Sequence, residues 1–274
     1  MTTVDILIPT ANRVPALIST LSGVTAQTHA SLRVLVADHG DRPAREDRVI
    51  RSLCRIIESR GGEVDWHQRA ASPMLAEQRD YLLRHARADV VLFLDDDVYM
   101  EPPVVQRLLH TLQAERCGFV GAFPSAEWMH RRATAAAPPL ELWNGPVRPE
   151  TLEPDSPEWE RTRLHLDGAT MDAAHHLPPG TVRRYKVAWV AGCVMYDRRK
   201  LLTVGGFSFW PRLPPRHVGE EALVQNLLMR RWGGCAIMPA LTHRAESPSW
   251  LYADAQPGPR ALELLPEMVR RYAT

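Results

Sequence analysis

The sequence predicts an α/β fold with a mixed, mainly parallel β-sheet and helices on both faces. Short apolar segments alternate with segments of helical periodicity throughout residues 1–122. The apolar segments are continuous, which is typical of strands covered on both faces. The chain has 274 residues, which is long enough for one large domain of this class.

The first half contains five predicted strands and four predicted helices. Leu17, Leu21 and Val24 show the helical spacing, Gly61-Gly62 ends the second helix and Pro102-Pro103 begins the fourth. The strands are Val4–Ile8, Leu32–Ala37, Val64–His67, Val90–Leu94 and Phe119–Ala122, and the helices cover residues 13–27, 43–60, 73–87 and 102–114. Ligands bind at the carboxyl ends of parallel strands, so the polar residues that follow strands one, two and four become the candidate site.

The second half is less regular. Residues 123–186 are rich in Pro, Trp and His, and their weak periodicity predicts a loop-rich insertion. Regular elements return in residues 187–247, and residues 248–274 form a tail that ends in a helix over 260–272 and offers a possible homodimer contact. The predicted elements of the 187–247 part are the strand Val187–Tyr196, helices over 198–203 and 219–232, and the strand Cys235–Met238.

Composition argues against several classes of partner. The 33 basic and 32 acidic residues give a formal net charge of +1, so no global charge attracts the chain to nucleic acid or anionic membrane. No apolar run approaches the roughly 20 residues of a membrane helix. The start, MTTVDILIPT, is unlike a secretory signal. Four widely spaced cysteines predict reduced, mostly buried thiols, and we expect a cytoplasmic protein.

Three consecutive carboxylates follow the most apolar strand. Asp95, Asp96 and Asp97, called here the acidic triplet, come directly after VVLFL. Adjacent carboxylates repel one another at the end of a buried strand unless a cation neutralises them. Oxygen ligands favour Mn²⁺ or Mg²⁺. The alternative is an acidic loop that caps the helix beginning at Pro102-Pro103.

Six segments, in order, resemble motifs of the family 2 glycosyltransferases, whose fold is the Rossmann-like GT-A type. They include that family's opening motif, second-strand motif, DxD segment and acceptor-side strand. In chain order they are ILIPTANR (6–13), VLVADHGD (34–41), LAEQRDYLLRHA (75–86), FLDDDV (93–98), VAGCVMYDRRKLLTVGGFSFW (190–210) and HVGEEALVQNLLMRRWGG (217–234). The resemblance covers most of residues 4–245 but neither the insertion nor the tail.

The resemblance implies a role for each matching residue. Residues 1–122 become the nucleotide-binding half and 187–247 the acceptor-side half of one GT-A domain spanning 1–247. The residues expected to bind the nucleotide-sugar are Pro9, Thr10, Asn12, Arg13, Asp38, Arg79, Asp95 and Asp96. Asp38 would contact the base of the nucleotide. Asp97 would hold the metal together with His243, and Gly192 and Trp210 would lie on the acceptor side.

The catalytic base is expected at the start of the helix over 219–232. Glu221 matches the position of the general base in inverting members, and Glu220 is the rival. The family's usual Glu-Asp pair is replaced by Glu220-Glu221, and its Arg-Asn pair by Arg79-Asp80. Acidic side chains in the first turn of a helix also interact favourably with the helix dipole. The alternative for both glutamates is therefore a role in stabilising the helix.

These features predict a metal-dependent glycosyltransferase of the inverting type, with a UDP-sugar as donor and a small molecule or glycan as acceptor. A retaining transferase using the same metal site and a non-catalytic nucleotide-sugar-binding protein are the alternatives. A sugar-nucleotide pyrophosphorylase would need a glycine-rich loop where this chain has PTANR.

Other histidines and tryptophans have competing interpretations. His243 could be an ordinary surface or core histidine. His175-His176, with His165 nearby, lack the ligand spacing of zinc sites and favour a solvated loop. Trp189, in an apolar segment, is expected in the core. Trp143 and Trp159 are further candidate stacking surfaces for a sugar.

Overall fold

The computed structural model describes residues 1–72, 74–126, 138–153, 156–165, 169–215, 217–245 and 260–272. Its first half confirms the predicted alternation of strands and helices. The elements are β1 (Val4–Thr10), α1 (Val14–Thr25), β2 (Leu32–Asp38), α2 (Arg48–Ser59), β3 (Glu63–Gln68), α3 (Leu75–His85), β4 (Val90–Leu94), β5 (Val98–Met100), α4 (Val104–Glu115) and β6 (Phe119–Gly121).

The second half adds strands at the far side of the same sheet. Its elements are α5 (Ala169–His175), β7 (Arg183–Tyr185), β8 (Cys193–Asp197), α6 (Arg198–Thr203), α7 (Glu220–Trp232), β9 (Gly234–Met238), β10 (Thr242–Arg244) and α8 (Leu265–Tyr272). Short 3₁₀ turns cover Ala44–Glu46, Pro157–Arg163, Trp210–Arg212 and Arg260–Leu264. No helix within the described ranges combines the length and apolarity that crossing a membrane requires.

Within the described residues, eight strands form the main sheet in the order β3-β2-β1-β4-β8-β6-β9-β7. Strands β3, β2, β1 and β4 are parallel, and β8 runs antiparallel to both of its neighbours. Strands β5 and β10 pair antiparallel in a separate two-stranded sheet. The predicted mixed, mainly parallel sheet is therefore confirmed.

The core lies in two layers on opposite faces of the sheet. Because successive side chains of a strand point to opposite faces, Ile6 and Ile8 of β1 join one cluster and Leu7 joins the other. Helices α1, α2 and α4 cover the first face, and α3, α6 and α7 cover the second. Residues of β1, β2 and β4 are buried throughout, which explains why these strands are continuous apolar runs.

The predicted strand Val187–Tyr196 is shorter in the structure, since β8 begins only at Cys193. Gly192 has a φ of 83°, which ends the extended backbone. The amide and carbonyl of Val190 instead bond the side chain of Gln225 on α7, each at 2.7 Å. The apolar run before Gly192 therefore reflects burial of an irregular segment. The sequence pattern alone does not distinguish this from a strand.

Described residues of the insertion and of the tail contribute to the core. Strand β7 pairs with β9 at the sheet edge, a strand that the sequence did not predict. His165 is fully buried, stacked on Phe123 with ring centroids 4.1 Å apart and bonded to the Tyr185 hydroxyl at 3.0 Å. Burial lowers the pKa of His165 to about 3, so this histidine is a neutral core residue. In the tail, α8 packs against α7.

We predict that Gln225→Leu lowers the free energy of unfolding by at least about 2 kcal/mol, because two buried backbone groups of Val190 lose their partner. Urea unfolding measures this change. Gln113→Leu, at an exposed position of α4, is the matched control and should change stability by less than about 0.5 kcal/mol. Equal effects of the two variants would show that Gln225 does not hold α7 in place.

Candidate active site

The acidic triplet lies where the central strands of the sheet end. Strands β1, β2 and β4 are adjacent and parallel, so their carboxyl ends share one edge. Thr10 is the last residue of β1, and Arg13 follows it just before α1. The triplet occupies the turn between β4 and β5. The sheet thus brings the triplet into contact with residues more than 80 positions earlier in the chain.

All six carboxylate oxygens of the triplet accept a hydrogen bond. Asp95 accepts from Arg79 (3.1 Å) and Arg244 (3.1 Å), Asp96 from Arg13 (2.5 Å) and the Thr10 hydroxyl (2.7 Å), and Asp97 from Arg13 (2.9 Å) and Arg244 (2.6 Å). Charge-assisted bonds of this kind are among the strongest in proteins. Three guanidinium groups therefore balance the repulsion between the adjacent carboxylates.

Arg79 joins the triplet to the acids at the start of α7. Its side chain is only 2% exposed and contacts Glu220, Glu221 at 3.3 Å and Asp95 at 3.1 Å. His217 fixes the approach of α7 to α3: its Nδ1 donates to the Pro214 carbonyl at 3.1 Å, and its Nε2 accepts from an amide of α3 at 3.3 Å. Arg79 therefore lies between the two halves of the candidate site.

Burial and surplus negative charge raise two pKa values in this ion-pair network, which consists of the triplet, Glu220, Glu221, Arg13, Arg79 and Arg244. Burial raises the pKa of Asp96 to about 7, against the opposing effect of Arg13. Burial also raises the pKa of Glu221 to about 8, although Arg79 favours its charged form. At Asp95, Arg244 and Arg79 outweigh burial and hold the pKa below its usual value. Five carboxylates thus face three arginines, and this excess of carboxylates, together with burial, makes Asp96 and Glu221 harder to ionise than free carboxyl groups.

Asp38 closes the loop that follows β2. Its carboxylate is fully buried and accepts from the amides of Gly40 at 2.9 Å and Ala44 at 2.7 Å. Each carboxylate oxygen can accept a further hydrogen bond beside these loop contacts. The contact of Asp38 with the base of the nucleotide stays a prediction.

The loops after β1 and β2 hold each other. Asn12 adopts a left-handed φ of 57°, donates to the Asp41 carboxylate at 3.0 Å and accepts from the Asp41 amide at 2.9 Å. Pro9 is buried within β1. Nδ1 of His39 bonds the Ala70 carbonyl at 2.7 Å, and its buried Nε2 has no hydrogen-bond partner among the described residues. Burial lowers the pKa of His39, so its ring is neutral.

The predicted metal pair of Asp97 and His243 is not assembled. The His243 side chain is 52% exposed, and its ring nitrogens contact Glu101 and Ser125, each at 2.9 Å. Successive residues of a strand point to opposite sides, so Arg244 faces the triplet and His243 faces away. Across the described parts of the chain, no group of three or more His, Cys, Asp or Glu side chains is arranged to hold a metal. Because both Asp97 oxygens bond arginines, the residues present do not fit the Mn²⁺ or Mg²⁺ that the sequence predicts.

The two residues assigned to the acceptor side lie in different surroundings. A Cβ on Gly192 would be 2.7 Å from Nη2 of Arg244, so this glycine makes room for the arginine. The Gly192 carbonyl also accepts from the Asp95 amide at 2.9 Å. Trp210 is half-buried against the core, at the start of a 3₁₀ turn that packs on α3. Gly192 therefore supports the triplet, and the acceptor role of both residues stays a prediction.

Arg244 is the residue that sequence reasoning missed. It follows His243 directly, and a two-residue period allows only one of these neighbours to face the triplet. Placing β10 against β5 decides between them, and no sequence pattern predicts either of these three-residue strands. Gln225 and His217 were missed for a similar reason, since their partners are backbone groups of distant segments.

Comparison with known protein families finds a match for this chain. The model of the family "Glycosyl transferase family 2" matches residues 5–160, more than half of the chain. A comparison with curated proteins finds no match.

Solved structures of similar fold include S. aureus TarS and a mannosyltransferase. S. aureus TarS 1–349 in complex with UDP-GlcNAc has a TM-score of 0.63 and 12% identity, covering 100% of this chain and 68% of that one. The chain spans only 40% of a longer TarS structure, at a TM-score of 0.60 and 12% identity. The mannosyltransferase PcManGT from Pyrobaculum calidifontis, in complex with GDP-Man and Mn²⁺, has a TM-score of 0.58 and 12% identity, with 97% and 68% covered. At this identity the likeness shows the fold.

We predict that Arg79→Met lowers the free energy of unfolding by about 3–5 kcal/mol, because three largely buried carboxylates lose their shared cation. Urea unfolding at neutral pH measures the loss. Arg84→Ala on the same helix is the control: its side chain is 64% exposed and its pair with Asp80 is worth less than about 1 kcal/mol. A loss at Arg79 no larger than at Arg84 would contradict the linking role.

Proposed function

Because the chain belongs to glycosyl transferase family 2, we propose that it transfers a sugar from a nucleoside diphosphate donor to an acceptor hydroxyl. The proposed donor is a UDP-sugar, and the proposed stereochemical course is inversion. The observation that carries the proposal is the position of Glu221, in the first turn of α7 and linked through Arg79 to the triplet.

Glu221 has the properties of a general base. An acceptor hydroxyl must lose its proton as it attacks, and a carboxylate whose pKa lies near the working pH accepts that proton efficiently. Burial raises the pKa of Glu221 to about 8. Its side chain is 10% exposed against 5% for Glu220, which is the closer partner of Arg79. These differences favour Glu221 over Glu220.

Inversion follows from the use of one base and no covalent intermediate. The hydroxyl attacks the anomeric carbon from the face opposite the diphosphate while Glu221 takes its proton, and the bond to the diphosphate oxygen breaks in the same step. The leaving group gains negative charge, so nearby guanidinium groups stabilise it. In this proposal Arg13 and Arg244 supply that charge, and Asp97, which accepts a hydrogen bond from each, orients them.

The family and structures of similar fold support the proposed donor class. TarS has been solved with UDP-GlcNAc and with UDP, and PcManGT with GDP-Man and Mn²⁺. In this proposal the loops after β1 and β2, which contain Asn12 and His39, border the nucleotide. Asp38 holds the second loop in shape through its bonds to Gly40 and Ala44. The proposed mechanism has no step that uses Mn²⁺ or Mg²⁺, because both oxygens of Asp97 already bond arginines.

The acceptor is proposed to be a small molecule or glycan that enters beside α7. Trp210 lies on the part of the structure that packs on α3, from which Arg79 reaches the acids of α7. An aromatic ring at such a position provides a stacking surface for a sugar or an aromatic acceptor.

We predict that one class of nucleotide-sugar binds to the protein and is consumed. Calorimetry with UDP-, GDP- and dTDP-sugars, with EDTA and with Mn²⁺ or Mg²⁺, identifies the donor. Release of the matching nucleoside diphosphate reports turnover. Binding without turnover of any nucleotide-sugar would favour a non-catalytic binding protein, and failure of every nucleotide to bind under all conditions would refute the transferase proposal.

We predict that Glu221→Gln lowers kcat/KM by about 10²–10⁴-fold while donor binding is retained, because the variant lacks only the proton acceptor. For the wild type, activity rises with pH up to the pKa of Glu221 at about 8 and then levels off, since the base acts unprotonated. The pH profile of the variant should lack this rise.

Comparing Glu221→Gln with two other variants tests whether Glu221 is the catalytic base. Glu58→Gln, at an exposed position of α2, is the control and should retain full activity. If Glu220→Gln removes the pH-dependent rise and Glu221→Gln keeps it, Glu220 is the base. NMR of the product gives the anomeric configuration, and retention would move the chain to the retaining alternative, in which Glu221 is dispensable.

A further inference from the structure

Arg244 occupies the space that a divalent cation would need between the outer carboxylates of the triplet. Its Nη1 contacts Asp97 at 2.6 Å, and its Nη2 contacts Asp95 at 3.1 Å. One guanidinium group thus bridges two carboxylates through two nitrogens. This geometry suits the planar fork of arginine. We propose that Arg244 replaces the cation and that nucleoside diphosphate binding by this chain requires no divalent metal. This inference deepens the proposed function and rests on it.

The surrounding backbone holds Arg244 in this position. The Arg244 amide donates to the Ser125 carbonyl at 2.7 Å, and the next amide, that of Ala245, donates to the Asp97 carbonyl at 2.7 Å. Strand β10 is also in register with β5, which follows the triplet directly. Gly192 leaves the volume that Nη2 fills, since a Cβ there would lie 2.7 Å from that nitrogen. The arginine position is therefore fixed by three separate segments of the chain.

A cation would have to displace these contacts. Mg²⁺ binds carboxylate oxygens at about 2.0–2.1 Å and keeps near-octahedral geometry. At Asp97 such an ion would lie against Nη1 of Arg244 or against Arg13, which contacts the other oxygen at 2.9 Å. Like charges at that separation repel strongly within a partly buried site. His243, the other expected ligand, is turned toward Glu101.

Arg244 also has the chemistry that a departing diphosphate requires. A guanidinium group keeps its charge at every physiological pH and binds phosphate oxygens through paired N–H donors. The Arg244 side chain is 23% exposed, so its charge reaches the solvent-accessible side of the triplet. Arg13, at 13% exposed, adds a second fixed positive charge beside it. Together they bring two positive charges to the place where the cation would bring its own two.

The test measures nucleoside diphosphate binding by calorimetry on the full chain, with UDP, GDP and dTDP as probes. Protein stripped with EDTA is compared with the same protein in Mn²⁺ and in Mg²⁺. We expect the wild type to bind one of the three in EDTA, with a Kd within about 3-fold of its value in Mn²⁺. Arg244→Ala should weaken binding in EDTA by about 10-fold or more, and Mn²⁺ should restore part of the loss, because Asp95 and Asp97 are then open to a cation.

Control variants test whether a loss of nucleotide binding comes from the Arg244 side chain itself. Arg163→Ala removes an arginine whose side chain is 51% exposed and, among the described residues, pairs locally with Glu160, and this variant should bind as the wild type does. Arg244→Lys keeps the charge without the fork and should bind with intermediate affinity. Thermal unfolding verifies that each variant folds. The wild-type comparison of EDTA with Mn²⁺ needs no variant, so it decides the question even if Arg244→Ala does not fold.

The binding results distinguish a failure of this inference from a failure of the proposed function. Wild-type binding that requires Mn²⁺ or Mg²⁺ would overturn this inference and leave the proposed transferase intact. Unchanged binding by Arg244→Ala in EDTA would also overturn it. Failure of all three nucleotides to bind in every condition would overturn the proposed function and the inference together.

Discussion

The neutralisation of five clustered carboxylates by three arginines is the constraint on which the rest of this structure depends. Removing charges from water costs several kcal/mol per ion, and only close, well-oriented partners recover that cost. The partners come from three distant places: Arg13 from the residue that precedes α1, Arg79 from α3 and Arg244 from β10. The network therefore forms only when the sheet, the helix layer and the small β5–β10 sheet are all in place. Burial, together with the excess of carboxylates over arginines, raises the pKa of Asp96 to about 7 and that of Glu221 to about 8.

The same network connects packing to the proposed chemistry. Gln225 ties α7 to the irregular segment before β8, and His217 ties the start of α7 to α3. These polar contacts fix the first turn of α7, so Glu221 is held by the framework and not by a mobile loop. A base must be positioned within hydrogen-bond distance of the hydroxyl that it deprotonates. Rigid placement and a raised pKa are thus two consequences of one buried arrangement.

An arginine and a divalent cation solve the same electrostatic problem differently. A cation brings two charges and readily exchanged ligand positions, whereas a guanidinium group brings one charge, five fixed donors and no dependence on metal supply. If Arg244 replaces the cation, the charge needed by the leaving diphosphate is part of the fold before any ligand arrives. Preorganised charge of this kind needs no reorganisation as the reaction proceeds. The glycine at position 192 leaves space beside Arg244, since a Cβ there would lie 2.7 Å from its Nη2 and 2.8 Å from the ring of Pro124.

The sequence by itself determined the α/β class, the order of the first strands and helices, and the meeting of the triplet with residues 10–13 at one edge of the sheet. It did so because continuous apolar strands and helical periodicity are local patterns, and because parallel strands end on the same side. Only the tertiary structure decided which side chain faces the triplet. The choice between His243 and Arg244 depends on the pairing of two three-residue strands more than 140 positions apart. Such contacts carry no local signature, since they are set by packing between distant segments and not by the pattern within any one of them.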